Sequence, residues 1–200
     1  MEYFFRSVLI LLSLFVGAVQ ANPIKLEHAA AELISDVNRI QPGKPFWVAL
    51  KLTMKPGWHT YWVNPGDSGF ATTIEWKLPP GFMASPIHWL SPSRLKFGNQ
   101  VNFGYQNQAF HLIHITPDKE IIAQPQKLVA SVNVLICGEV CVPESIELNL
   151  TLPIDSEEGQ PDYSDHHPLI HQLKDELPKQ LGITGEFEVV DDMVHFSFPL

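Results

Sequence analysis

The chain's two cysteines, Cys137 and Cys141, stand with three residues between them in the stretch LICGEVCVPES at 135–145. Before them Leu128, Ala130, Val132, Val134 and Ile136 alternate with residues of the other face, the period-2 pattern of a strand. After them Ile146, Leu148, Leu150 and Leu152 alternate with Glu147, Asn149 and Thr151. The cysteines therefore mark the join between two successive strands. A tight turn at Gly138 would bring the hairpin ends within the roughly 4.4–6.8 Å between Cα atoms that a disulfide takes. Pro143 has no N–H for a ladder, so the second strand is expected to begin after it, at 145.

Such a pair has several uses. As a structural staple it has little to do, since closing a five-residue loop stabilises by only about 2 kcal/mol in the chain-entropy model. As a redox pair, one thiolate attacks a partner's disulfide and the other resolves the mixed intermediate. Metal binding is a third use, although two cysteines fall short of the four ligands of a closed zinc site.

GWHTYWVNPGDSG at 57–69, IEWKLPPGF at 74–82, NFGYQNQAF at 102–110 and the cysteine segment itself carry a resemblance. Over about 30–153 the chain resembles the periplasmic amino-terminal domain of the DsbD/ScsB thiol:disulfide interchange family. The resemblance implies a redox-active pair, with Cys141 attacking the partner's disulfide and Cys137 resolving the intermediate. It implies as partners periplasmic thioredoxin-fold proteins or other disulfide substrates, and a membrane-embedded domain or partner that supplies electrons. No cofactor and no resident metal is expected. Relatives of the DsbD kind place more residues between the cysteines, so C-x3-C fits the ScsB-like branch better. In the family a loop aromatic covers the pair until a partner arrives. Aligning outward from NFGY puts Phe97 and Gly98 nearest that cap, with Tyr105 in the same segment. Arg94 and Lys96 replace the acidic residues that flank the cap in the DsbD type, so a carboxylate proton relay does not carry over.

Residues 1–21 read as a secretory signal, with Arg6 in a charged start, an apolar run from Val8 to Val16 and the small-residue end Val19-Gln20-Ala21. The run is too short to span a bilayer. Cleavage after Ala21 would deliver the chain to the periplasm, an oxidising compartment where a disulfide persists. The formal charge of −9 gives no electrostatic reason to bind nucleic acid. Hydrophobic residues at 45% against 18% charged permit a real core.

From Ala30 onward, short alternating runs are punctuated by Pro and Gly. Strands are expected at 30–36, 46–54, 58–63, 72–77, 108–115, 127–136 and 145–152. No long helical pattern separates them, which points to an all-β domain, an immunoglobulin-like β-sandwich over 22–153. Trp58, Tyr61 and Trp62 read as core and sheet-face residues. Residues 64–69 and 94–105 read as loops.

No Lys, Arg or His neighbours the cysteines, whose near neighbours are Glu139 and Glu144, and no helix start is expected there, so nothing adjacent acidifies a thiol. Among nine histidines, His111 and His114 point to opposite faces of one strand, while His166, His167 and His171 lie together later. With the thiolates they keep a copper-handling protein open as an alternative. A binding or assembly module with an inert disulfide is the other.

After Pro153 the composition changes. Residues 154–165 read as an acidic linker, with five acidic and no basic residues in 155–165. Ser164 or Asp165 can cap a short helix bearing Leu169, Leu173 and Leu177, stopped by Pro178. A hairpin turning at Asp191-Asp192 follows, so 166–200 reads as a short helix plus the start of a second small β-domain.

Overall fold

The computed structural model describes residues 23–155, 159–179, 182 and 184–198. The expected signal at 1–21 lies outside them, as does 156–158 of the acidic segment. Twelve strands follow in order: β1 (Ile24–Lys25), β2 (Ala29–Ser35), β3 (Phe46–Met54), β4 (His59–Gly66), β5 (Thr73–Lys77), β6 (Phe82–Ala84), β7 (His88–Trp89), β8 (Ser93–Phe97), β9 (Gln100–Gln106), β10 (Gln108–Pro117), β11 (Gln126–Cys137) and β12 (Cys141–Leu152). A helix, α1 (His167–Asp175), and the hairpin strands β13 (Glu186–Val190) and β14 (Met193–Ser197) come after.

One sheet runs β1-β2-β3-β10-β6, with β7 also on β10; the other runs β12-β11-β4-β9-β8, with β5 also on β11. The alternation explains how they face one another. Phe46, Val48, Leu50, Leu52 and Met54 of β3 share one buried core with Leu128, Ala130, Val132, Val134 and Ile136 of β11. Each large side chain so buried contributes about 1.5–3 kcal/mol. The result is an immunoglobulin-like sandwich. β10 also carries a histidine into this core. His111 is fully buried between the rings of Trp89 (centroids 4.8 Å apart) and Tyr105 (5.9 Å). Neither ring nitrogen has a hydrogen-bond partner, and burial pushes its pKa down to about 3.

Three local expectations are corrected. The second strand of the cysteine hairpin begins at Cys141 rather than 145, and Pro143 pairs with Leu135 inside the ladder. β12 is the outermost strand of its sheet, and an edge tolerates a proline whose missing N–H would face solvent. Residues 94–105 are a hairpin, not a loop: β8 and β9 pair from Ser93–Gly104 to Phe97–Gln100. Each strand alternates over only a few residues on either side of the Gly98-Asn99 turn, too short a run to stand out. Finally, the helix N-cap is His166, which has no side-chain cap bond. Ser164 acts two residues earlier, its Oγ accepting the His166 N–H at 3.1 Å and donating to the Ser35 carbonyl.

The chain beyond Pro153 lies against the sandwich. Ile154 bridges Ile40 and Tyr163 bridges Val37, while Asn38 Nδ2 donates to Asp162 Oδ1 at 3.0 Å. Ile170 and Leu173 of α1 are buried in the common core. By contrast, β13 and β14 pair with each other and every residue in them is exposed. Asp191 and Asp192 turn the hairpin with φ 49° and 60°, as a two-residue type I′ turn requires. Among the described residues no helix is long and apolar enough to cross a membrane.

Candidate active site around the cysteine pair

Cys137 closes β11 and Cys141 opens β12, directly opposite one another in the ladder, with Cα atoms 4.1 Å apart and the sulfurs bonded. The loop between them is Gly138-Glu139-Val140, held by the Gly138 N–H donating to the Val140 carbonyl at 2.9 Å. Gly138 is there for space: a Cβ would come within 3.0 Å of the Trp58 indole. That indole also stacks on His28, centroids 3.5 Å apart and nearly parallel. The cysteine loop thus rests on an aromatic floor.

Side-chain alternation turns Cys137 away from the main core. With Leu135 and Tyr61 it forms a separate small buried cluster on the outer face of the sheet. Cys137 lies opposite His59 in the β4–β11 pairing, and period 2 puts Tyr61 on the same face as His59. Tyr61 Oη donates to Cys137 Sγ at 3.1 Å and lies 3.9 Å from Cys141 Sγ. Burial raises the Tyr61 pKa, partly offset by the Ser68 hydroxyl, so the phenol stays a proton-bearing donor at neutral pH. Gly69 packs against the Tyr61 ring, where a Cβ would not fit. The segment carrying Gly69, read as a loop, is tied to β9 through Asp67 Oδ2, which accepts the Val101 N–H at 2.7 Å.

His59 is buried and stacks on Phe97, centroids 4.4 Å apart at 17°. Burial lowers its pKa. The nearby Cys137 carbonyl offsets part of that shift without normal hydrogen-bond geometry to either ring nitrogen. Phe97 therefore reaches the neighbourhood of the pair through His59, from the tip of the β8–β9 hairpin. Gly98 begins the two-residue turn there with φ 59°, the sign a II′ turn needs at its first central position. Tyr105 is not brought to the pair. It lies opposite Thr60 on the core side, its hydroxyl donating to the Leu90 carbonyl at 2.8 Å. Arg94 and Lys96 are exposed on β8 and make no ion pair among the described residues.

The two sulfurs differ in access. Cys137 is 1% exposed, whereas Cys141 is open to solvent beside Val140, itself 63% exposed. A nucleophile from outside meets Cys141 first, leaving Cys137 as the screened leaving group under the Tyr61 hydroxyl. Trp58 and Tyr61, read from sequence as core and sheet-face residues, are so placed and also line this site, and His59 was not singled out. The available signal was the run His59-Thr60-Tyr61-Trp62, bulky on both faces of one strand. Among the described residues no three His, Cys, Asp or Glu side chains gather as a metal-ligand set.

Residues 29–153, more than half of the chain, match the family described as thiol:disulfide interchange protein DsbD, N-terminal. Among solved structures, the N-terminal periplasmic domain of ScsB from Proteus mirabilis is similar at 19% identity with a TM-score of 0.64, covering 89% of this chain and 68% of that one. The DsbD N-terminal domain of Neisseria meningitidis, in its reduced form, matches at 14% identity with a TM-score of 0.30, covering 62% of this chain and 85% of that one. A comparison with curated protein sequences gives no match. The ScsB likeness speaks for the fold, and the family match runs through the whole cysteine hairpin. The chain therefore belongs to the DsbD N-terminal family, as a thiol:disulfide interchange module built on Cys137 and Cys141.

Proposed function

We propose that the chain is a periplasmic reductant of disulfides, relaying electrons through Cys137 and Cys141 to partner proteins of the thioredoxin fold or to other disulfide substrates. In the forward step the Cys141 thiolate attacks a partner's disulfide, forming a mixed disulfide and releasing one partner thiolate. Cys137 then attacks the Cys141 sulfur, closing the Cys137–Cys141 disulfide and releasing the second partner thiol. The partner gains two electrons and the chain loses two. A membrane-embedded domain or separate partner returns them by the reverse exchange. The observation that carries this order is the unequal access of the sulfurs, Cys141 open and Cys137 screened. Phe97, stacked on His59, acts as a cap on the Cys137 side of the pair, limiting exchange with small thiols there. The signal-like composition of residues 1–21 supports a periplasmic location for the module. In this reading residues 22–153 are the redox unit.

The first test is the reduction potential of the pair, from equilibration in glutathione buffers and counting of alkylated thiols by mass. A value between about −180 and −300 mV fits an exchangeable relay; one far below about −300 mV marks a structural staple and leaves a binding module in its place. The order of attack is read by trapping. Cys137→Ser accumulates a mixed disulfide with partner proteins and Cys141→Ser does not; the reverse pattern would overturn it.

A further inference from the structure

A cleft of about 380 Å³ opens between α1 and the β2–β3 connection. It lies at the end of the sandwich away from the cysteines: β3 leaves it at Phe46 and runs nine residues toward the cysteine end, roughly 25–30 Å. Phe46, Trp47 and Tyr163 give it aromatic walls. Its charges run against those of the whole protein. Arg39, Lys44 and Lys174 line it, opposed by one lining carboxylate, Asp36, in a chain of formal charge −9. Asp36 Oδ1 is already engaged by the Trp47 N–H at 2.8 Å. Arg39 is drawn partly aside by Asp162, Nε to Oδ2 3.5 Å.

Among the described residues the other two cations, Lys44 and Lys174, have no ion pair, although Lys174 and Asp36 lie close enough to feel each other's charge. Lys174 is half-buried, its Nζ 5.3 Å from the centre of the Trp47 ring. His167, also on the lining, has its Nδ1 buried without a hydrogen-bond partner. A half-buried ammonium and an unsatisfied imidazole nitrogen both lose hydration, which an anionic guest restores. Aromatic walls stack a planar body, and the volume lies in the range of small-molecule sites.

We propose that this cleft is a second binding site, independent of the thiol chemistry, for a small organic anion: an aromatic body bearing a carboxylate or phosphate, its charge met by Lys174, Lys44 and Arg39 and its ring set against Trp47. The test is an NMR titration of the isotope-labelled full chain with phenyl phosphate, benzoate, inorganic phosphate and neutral benzyl alcohol. Phenyl phosphate or benzoate shifts the Trp47 indole and His167 imidazole signals saturably, the tighter of the two naming the head group. Inorganic phosphate binds more weakly and benzyl alcohol does not saturate. Lys174→Gln and Lys44→Gln each weaken the aryl anion about tenfold, as expected for loss of one charge-assisted contact. Should Lys174→Gln fail to fold, Lys44→Gln, at an exposed side chain, carries the test alone. Absence of saturable shifts with either aryl anion overturns the proposal. So does equal binding of benzyl alcohol, inorganic phosphate as tight as phenyl phosphate, or wild-type affinity in folded lysine variants.

Discussion

Ile136 and Cys137 are neighbours on β11 and equally hidden, each 1% exposed, yet they are hidden by different things. Ile136 joins the large apolar core shared by both sheets. Cys137 lies on the outer face in a cluster of three, with Leu135 and Tyr61. Burial on the inner face holds the sandwich together. On the outer face it decides which sulfur a reagent can reach. The same fractional exposure thus belongs to stability in one residue and to chemistry in the next, and only the identity of the covering groups separates the two.

The division can be tested from both sides. Ile136→Ala should cost about 2–5 kcal/mol in denaturant unfolding while leaving the reduction potential of the pair unchanged; a shifted potential would join the two faces. His111 offers a pH-dependent version. Unfolded, its pKa is the ordinary 6.5; folded, it is held down to about 3. Between those values the unfolded chain binds more protons, so this residue's share of stability is intact above about 6.5 and drains away as pH falls toward 3, at about 1.4 kcal/mol per unit. His111→Leu should therefore stay within about 1 kcal/mol of the parent at pH 7, since it removes two unpartnered nitrogens, and should lose stability less steeply on acidification. Equal acid slopes in thermal or urea unfolding would count against this.

On the outer face the expected effects are smaller in energy and appear in the chemistry. The Tyr61 phenol donates more strongly to a thiolate than to a disulfide sulfur, so it favours the reduced state. Tyr61→Phe should make the potential more negative by about 30 mV, the equivalent of 1.4 kcal/mol, with little change in unfolding. Phe97→Ala should have the smallest effect. Removing the ring stacked on His59 should speed reduction of the disulfide by glutathione roughly three- to tenfold, equivalent to about 1 kcal/mol, without altering the equilibrium potential. A rate that does not change would leave Phe97 as packing for His59 alone.

How far the sequence reveals this molecule follows from what local patterns encode. β3 and β11 were legible because one face of each is entirely apolar, so the period stands out. The β8–β9 hairpin was not, because its alternating runs are short, Leu95 and Phe97 against Arg94 and Lys96, then Val101, Phe103 and Tyr105 against Asn102 and Gly104, with Gly98 and Asn99 breaking them apart. The cysteine pair was legible from its position between two strands. Its surroundings were not: Tyr61, His59 and Trp58 lie more than 70 residues away along the chain and reach it only because β4 pairs with β11 at a single register, His59 against Cys137. Such a register is a tertiary fact. Nor did the pattern say what an amphipathic hairpin packs on; β13–β14 alternates like β11–β12 but buries none of its residues.

The proline at the start of β12 has a further consequence. An outermost strand is a template on which a second molecule can add, and two copies joined along β12 would bring their open Cys141 sulfurs into one seam, inviting a covalent dimer. Pro143, followed by the half-buried Glu144 and the exposed Glu147, spoils that template at the place where it would do most harm. Visitors are then left to approach Cys141 through side chains rather than by extending the sheet, so the strand that carries the reactive sulfur also guards against its own self-association.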